Sequence, residues 1–562
     1  MNRTVWIVAI GLLAFYLRVD AVNFGLPYLY HADEPILVNR ALSYATGDLN
    51  PHYFKLPSFV SYVLFFCYGL YFLISLALGH ISSVADFQNL FLSDPSSFYL
   101  LGRLVFGTVL GTASVVAFYF LIRRFFTPAL AVAASFLFAT NFLHIRNSHY
   151  LYLDVPLLFV IVLSFFPILN LLSRQKKSDY YLFGLLLGLA VSVKYNGFFI
   201  VVPFLYAHAV SSGKDPRRLF CPEIFGAAIL SLFVFFALNP FAILDFKTFI
   251  RDLTSMHEFE GFQGWSHHLS YSLNHAMGLP ALGLGLIGML ANIFRPERKK
   301  FAFVVFVLTY YVVLVHFSEQ HARYVFPLIP FVLFFAGDIL AAVTAGLKKI
   351  GGAVLAVAAL TVAAPSLVKA HLCDKLLENE DVRTSALIWT EQNIPAGSRI
   401  ALDSSFFMPR LKPAVDQLIQ KEQEAIARGQ EANVTRIKWM LRDAQTNPQT
   451  RYQLYFLNKK SDTEFLFGRP VLPYDVEALK QAGIEYVFVV RLNPEHMKSF
   501  YTQLDSSAEK IHRHTPYKDP AINWPLWTRP LTGAPLAWDD IRARARNGQI
   551  IDVYRLQSLR RP

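Results

Sequence analysis

Asp33 and Glu34 stand side by side in Tyr30-His31-Ala32-Asp33-Glu34-Pro35, just past the first strongly apolar stretch of the chain. Carboxylates beside hydrocarbon are expensive to keep and are a functional signal when they are kept. Two chemistries fit them. One is a general base that takes a proton from an acceptor hydroxyl. The other is metal ligation, for which Asp33 and Asp154 are the candidates. On a helix adjacent side chains diverge by about 100°, so one of the pair is expected to reach a reacting atom. The plainer reading is a helix cap, because Pro35 suits a first turn. Asp154, in Leu153-Asp154-Val155-Pro156, allows the same two readings. The cations are of equal interest. Lys194 interrupts a long apolar run as Lys194-Tyr195-Asn196-Gly197, and Asn-Gly is a turn signal. Arg323 precedes Tyr324 and a pair of prolines, and a guanidinium is the preferred fork for phosphate oxygens. Lys55 lies in Lys55-Leu56-Pro57. For each cation the plain alternative is an interfacial anchor whose stem lies along apolar surface.

These side chains must be held by membrane helices. Over 562 residues, 54% are hydrophobic and 16% charged, with a mean hydropathy of +0.37. That is the profile of a polytopic membrane protein. The formal charge of +12 comes from short basic clusters between apolar runs. This is the positive-inside pattern, and it argues against a nucleic-acid partner. Clusters at 123–124, 174–177, 214–218, 295–300 and 348–349 mark the cytoplasmic side. About 11 spans satisfy all of them: 4–17, 99–122, 129–145, 155–172, 181–193, 197–211, 222–243, 279–294, 301–317, 325–345 and 350–368. Several are shorter than the ~20 residues of a full crossing, so they are expected to be buried or broken helices. Residues 56–79 upset the alternation. They are expected to form an interfacial or re-entrant helix on the outer side, the alternative being a full span. The N-terminus has no small-residue cleavage site and is expected to be the first span.

This topology places three loops outside: 18–98, 146–154 and 244–278, the last with a polar aromatic stretch at 258–268. Asp33, Lys55, Asp154, Lys194 and Arg323 then share one face. After residue 369 the composition turns polar. Residues 370–562 are expected to form a soluble extracytoplasmic α/β domain, with strands near 399–402, 485–490 and 550–554 and a helical stretch near 413–446. Three widely spaced cysteines, Cys67, Cys221 and Cys373, offer neither a metal pattern nor a disulfide framework. Histidines 31, 149, 267 and 268 lie in the outer loops without metal-ligand spacing. No Walker loop or nucleophile elbow is present, so no nucleotide cofactor is expected, and a divalent metal stays open.

In this order the motifs resemble the GT-C superfamily of membrane glycosyltransferases, and within it the branch of protein O-mannosyltransferases and lipid A aminoarabinose transferases. The likeness covers about residues 1–345. It runs through Asp33-Glu34, Lys55-x-Pro57, Arg103 opening the next span, Ser148-His149 to Asp154-x-Pro156, Lys194-Tyr195-x-Gly197 and Arg323-Tyr324. The resemblance implies a hexosyl- or pentosyltransferase with a polyprenyl-phosphate-linked sugar donor, reached from the bilayer. It implies Asp33 as catalytic base for one inverting displacement, with Glu34 assisting or orienting the acceptor. It implies that Lys55, Lys194 and Arg323 hold the leaving phosphate and that Asp154 and His149 line the same cavity, with Arg103 and Tyr324 in the substrate-binding set. A multi-pass protein of the bacterial cytoplasmic membrane is the expected setting. The acceptor, whether protein, lipid or glycan, stays open, because no lumenal repeat domain of the eukaryotic mannosyltransferases is present. Rival readings are a flippase for lipid-linked sugars and a membrane-anchored assembly protein. The first lacks a two-fold hydropathy repeat. The second leaves Lys194 and Arg323 without a role.

Overall fold

A computed structural model describes residues 3–213, 216–255, 264–317, 321–347, 350–403, 407–429, 431–446, 450–457, 471–491, 498–526 and 536–556. The chain divides into two compact units. The first comprises residues 1–22, 33–83 and 97–374, and the second 23–32, 84–96 and 375–562. The second unit therefore takes in two short pieces of what the sequence presents as the first outer loop.

The first unit is helical. It opens with α1 (Arg3–Val19), α2 (Glu34–Ser43) and α3 (Phe59–Ala77). After α4 (Val84–Ser93), which belongs to the second unit, follow α5 (Ser96–Gly102), a π-helical turn at Arg103–Val109 and α6 (Leu110–Ile122). Then come α7 (Pro128–Ala139), α8 (Phe142–Ser148), α9 (Asp154–Arg174), α10 (Lys177–Val193), α11 (Val201–Ser212) and α12 (Pro222–Leu238). The protein is a polytopic α-helical membrane protein. Among the described residues six helices are long and apolar enough to cross a bilayer, or eight if each of two bent pairs is one span. Eleven spans were expected. The difference lies in helices too short to qualify, such as α11 with 12 residues, and in the bends. Residues 59–77 form one unbroken helix with the length and hydropathy of a span, which is the alternative to the re-entrant reading.

The expected span 129–145 is two helices, α7 and α8, meeting at 57°. Asn141 starts α8 by accepting from the His144 N–H at 3.0 Å. A broken helix leaves carbonyls that apolar surroundings cannot satisfy. Arg18, fully buried, does so: it donates to the Ala139 carbonyl at 3.1 Å, to the Ala14 carbonyl at 2.8 Å, and to His144 Nδ1. Helices α10 and α12 pack more closely still. A Cβ at Gly188 would overlap the Ser231 carbonyl, so the absence of a side chain sets their separation.

The second unit is built on a six-stranded sheet: β1 (Arg399–Leu402), β2 (Gln453–Leu457), β3 (Val471–Leu472), β4 (Tyr486–Arg491), β5 (Glu509–His514) and β6 (Ile550–Arg555). Its order is β3-β2-β1-β4-β6-β5, parallel from β3 to β4 and antiparallel at β6 and β5. Both faces are covered, as parallel strands require. Ile400, Leu402, Phe488 and Val553 enter one apolar cluster, and Ala401, Val487, Val489 and Tyr554 the other.

Candidate functional site

The two neighbouring carboxylates have different fates. Pro35 starts α2, but Asp33, at the cap position, makes no side-chain cap bond. Glu34 does not cap either. It turns inward and accepts both prongs of Arg103: Nε to Oε1 at 2.7 Å and Nη2 to Oε2 at 2.7 Å. Both side chains are 0% exposed. The Leu151 N–H adds a third bond to Oε1 at 2.9 Å, and Arg103 also donates to the Val22 carbonyl at 2.8 Å. One buried pair thus ties together the exit of α1, the start of α2, the π-turn and the 149–153 segment. The cap reading fails for both residues because stronger, charged partners are within reach.

Asp33 points to Arg323, whose Nη1 donates to Oδ2 at 2.5 Å. Arg323 opens a 3-10 turn that leads into the helix Ile329–Thr344. Lys194 lies where α10 ends: its backbone is extended, and the Gly197 N–H closes a turn on its carbonyl at 2.9 Å. The Asn-Gly signal is met here. The Lys194 ammonium donates to Asp154 Oδ1 at 2.7 Å, and Asp154 is the first residue of α9. Tyr152 joins the two pairs. Its ring centre is 4.7 Å from the Arg323 guanidinium and 5.7 Å from the Lys194 ammonium. The Tyr324 ring stands 5.6 Å from the same ammonium. Asp33, Asp154, Lys194, Arg323 and Tyr324 are therefore brought together. Two acids and two bases balance in charge around aromatic rings.

Lys55 is exposed, and it forms no ion pair with the other site groups among the described residues. Its segment is nevertheless held firmly. Arg40 of α2 donates to the carbonyls of Tyr53 and Leu56, at 3.0 and 3.3 Å. Tyr195, next to Lys194, donates to the Phe54 carbonyl at 2.7 Å, and the Phe54 N–H donates to Asp252 at 2.8 Å. His149 is fully buried and faces Asp374 at 3.7 Å. Tyr152, Arg40 and Asp252 were not anticipated, and Tyr195 entered only as part of the Lys194-Tyr195-x-Gly197 motif. Tyr152 could have been flagged by its place two residues before Asp154, and Arg40 as the one cation of the short helix that Glu34 begins. Residues 256–263, in the third outer loop, lie outside the described residues. Among the described residues no three His, Cys, Asp or Glu side chains gather to hold a metal ion. Asp33 and Asp154 are each engaged by a cation instead.

A bundle of apolar helices, an α/β unit and a balanced set of acid–cation pairs fit a membrane glycosyltransferase of the GT-C kind. Residues 73–244 match the family model described as dolichyl-phosphate-mannose-protein mannosyltransferase. The match bears out the resemblance carried by the sequence motifs, and it supports a glycosyltransferase that uses a lipid-linked donor. Similar solved structures include ArnT from Cupriavidus metallidurans bound to undecaprenyl phosphate: 14% identity, 100% of this chain and 99% of that one, TM-score 0.49. The apo oligosaccharyltransferase of Archaeoglobus fulgidus has 12% identity, covering 93% and 75%, with a TM-score of 0.47. The S. cerevisiae protein O-mannosyltransferase Pmt1-Pmt2 complex bound to the sugar donor has 20% identity, covering 49% and 36%, with a TM-score of 0.32. No curated protein matches the chain.

Proposed function

We propose that this protein transfers a sugar from a polyprenyl-phosphate donor to an acceptor hydroxyl on the non-cytoplasmic face of the membrane, with inversion at the anomeric carbon. Asp33 is the general base. Arg323 and Lys194 receive the charge that builds on the departing lipid phosphate, with Lys55 at the rim. Asp154 and Tyr152 hold Lys194 in place. Glu34 and Arg103, sealed from solvent, act as positioning residues for the segment that carries Asp33.

The observation that carries this reading is the meeting of Asp33, Arg323 and Lys194 around one tyrosine ring, from segments far apart in the chain. A base beside two cations is the arrangement a displacement at phosphate-linked carbon calls for. The proton leaves the nucleophile as negative charge appears on the leaving group. A lipid phosphate leaves without nucleotide activation, so no phosphate-cradling glycine loop is needed. The basic clusters between spans support a non-cytoplasmic placement of this face.

Membranes supplied with a polyprenyl-phosphate sugar test the reading. Asp33→Asn should abolish transfer while the protein remains folded, and transfer at the parental rate would sink the base assignment. A reporter fused after residue 370 should be active only outside the cytoplasm.

A further inference from the structure

The acid–cation pairs of Glu34, Asp33 and Asp154 are not alike. Glu34–Arg103 has no exposed surface. Asp33–Arg323 is open, with the side chains 20% and 18% exposed, and Asp154–Lys194 retains 8% and 16%. Arg323 also has an unfilled place. Its Nε is buried and has no hydrogen-bond partner among the described residues, although Nη1 is engaged by Asp33. A buried guanidinium nitrogen without an acceptor is a costly arrangement unless something supplies the oxygen. Guanidinium favours a two-pronged bond to a phosphate, using two nitrogens at once. Asp33 takes one prong only.

From this we infer that the donor's phosphate displaces Asp33 from Arg323, so that donor binding itself releases the base and the donor must load before the acceptor reacts. The inference rests on the function proposed above and adds an order of events to it. In the resting protein Asp33 is committed to Arg323 and is a poor proton acceptor. A phosphodiester entering at Arg323 bonds along the Nε edge, and its negative charge repels Asp33 from Nη1, while the Tyr152 ring keeps the cation on its face. Asp33 then turns to the acceptor hydroxyl. The acceptor oxygen bonds to the anomeric carbon as the carbon–oxygen bond to phosphate breaks. The proton passes to Asp33, and the bonding pair leaves on the phosphate. One negative charge moves from carboxylate to phosphate, and the sum is unchanged. An acceptor arriving first meets a base that is already occupied.

The test is binding of sugar-free undecaprenyl phosphate to the full-length protein in nanodiscs. If Asp33 competes with phosphate for Arg323, Asp33→Asn should bind it about tenfold more tightly than wild type, the scale of one charge-assisted hydrogen bond removed from competition. Arg323→Ala should bind weakly, and the gain from Asp33→Asn should vanish in the Arg323→Ala background. If Asp33→Asn does not fold, Asp33→Ala carries the same expectation. Affinity equal to or below wild type in the Asp33 variants, with Arg323→Ala still weakened, overturns the exchange and leaves the donor site standing. Wild-type protein that does not bind the lipid phosphate, or binds it equally without Arg323, overturns the donor reading as well.

Discussion

Asp33 and Glu34 are consecutive carboxylates, each paired with an arginine, yet only one pair keeps any surface open to solvent. Glu34 gives both oxygens to Arg103 and a further lone pair to the Leu151 N–H, with no surface left to solvent. Asp33 gives one oxygen to Arg323 in a pair that remains partly open. What separates them is satisfaction. A closed pair with every donor and acceptor used holds segments in place. An open pair with a donor to spare is ready to exchange partners.

The largest expected effect is on activity at the open pair. Asp33→Asn keeps the shape and removes the proposed base, and transfer should fall by about 10²–10⁴, the range for loss of a general base. Thermal stability should fall by less than at the closed pair, since this pair keeps some contact with solvent. Activity loss matched by equal unfolding would erase the distinction between the two carboxylates.

At the closed pair the expected effect is on folding. Glu34→Gln leaves Arg103 buried and charged without its counter-ion, and stability in detergent should drop by about 3–5 kcal/mol. The double change Glu34→Leu with Arg103→Leu removes both charges and should recover much of that stability. A double variant as unstable as the single ones would mean that shape, rather than charge, holds the segments.

Lys194 should show a smaller, kinetic effect. Lys194→Ala strips one cation from the site while Arg323 remains, so KM for the lipid-linked donor should rise about tenfold with a modest loss in kcat. Lys194→Arg should retain part of the function, because the charge is kept and the geometry altered. An effect on stability alone would assign Lys194 to the closed class with Arg103.

Much of the scaffold is written locally. Apolar runs announce the helices, and the Lys194 turn follows from Asn-Gly. The strands β1, β4 and β6 stand out as apolar runs near the expected 399–402, 485–490 and 550–554. β5, Glu-Lys-Ile-His-Arg-His, does not, because an edge strand needs little apolar surface. Candidate residues were visible as charges in costly places, but their partners were not. Asp33 and Arg323 lie 290 positions apart, and no local rule decides that Glu34 takes Arg103 while Asp33 takes Arg323. The inclusion of 23–32 and 84–96 in the second unit is likewise a product of tertiary packing. Backbone bonds to Arg40 and Tyr195 around Lys55 leave no mark in composition.

The second unit supplies a control, because its buried ionisable groups should move stability with pH and leave transfer chemistry untouched. His514 is held down to about 3, chiefly by burial and then by the charges of His512 and Arg546. It stacks edge-on to Trp389 and meets Ser385 Oγ at 3.4 Å. An unfolded histidine takes a proton near 6.5, so between about 6.5 and 3 the unfolded chain holds a proton the native state refuses. Stability therefore falls as pH drops through that window. Asp403 acts in the opposite sense. Burial raises its carboxyl to about 6, partly offset by bonds from Tyr474 and the Val490 N–H. From 6 down to about 4 its native form gains a proton that the unfolded chain does not, and stability rises. The histidine's displacement is the larger, so acidification from 6.5 to 4 should loosen the unit by a net amount on the order of 1 kcal/mol. Hydrogen exchange at β6 amides reads it. In His514→Gln the trend should reverse, with protection increasing as pH falls from 6 to 4. An unchanged slope would show that His514 does not govern the pH response of this unit.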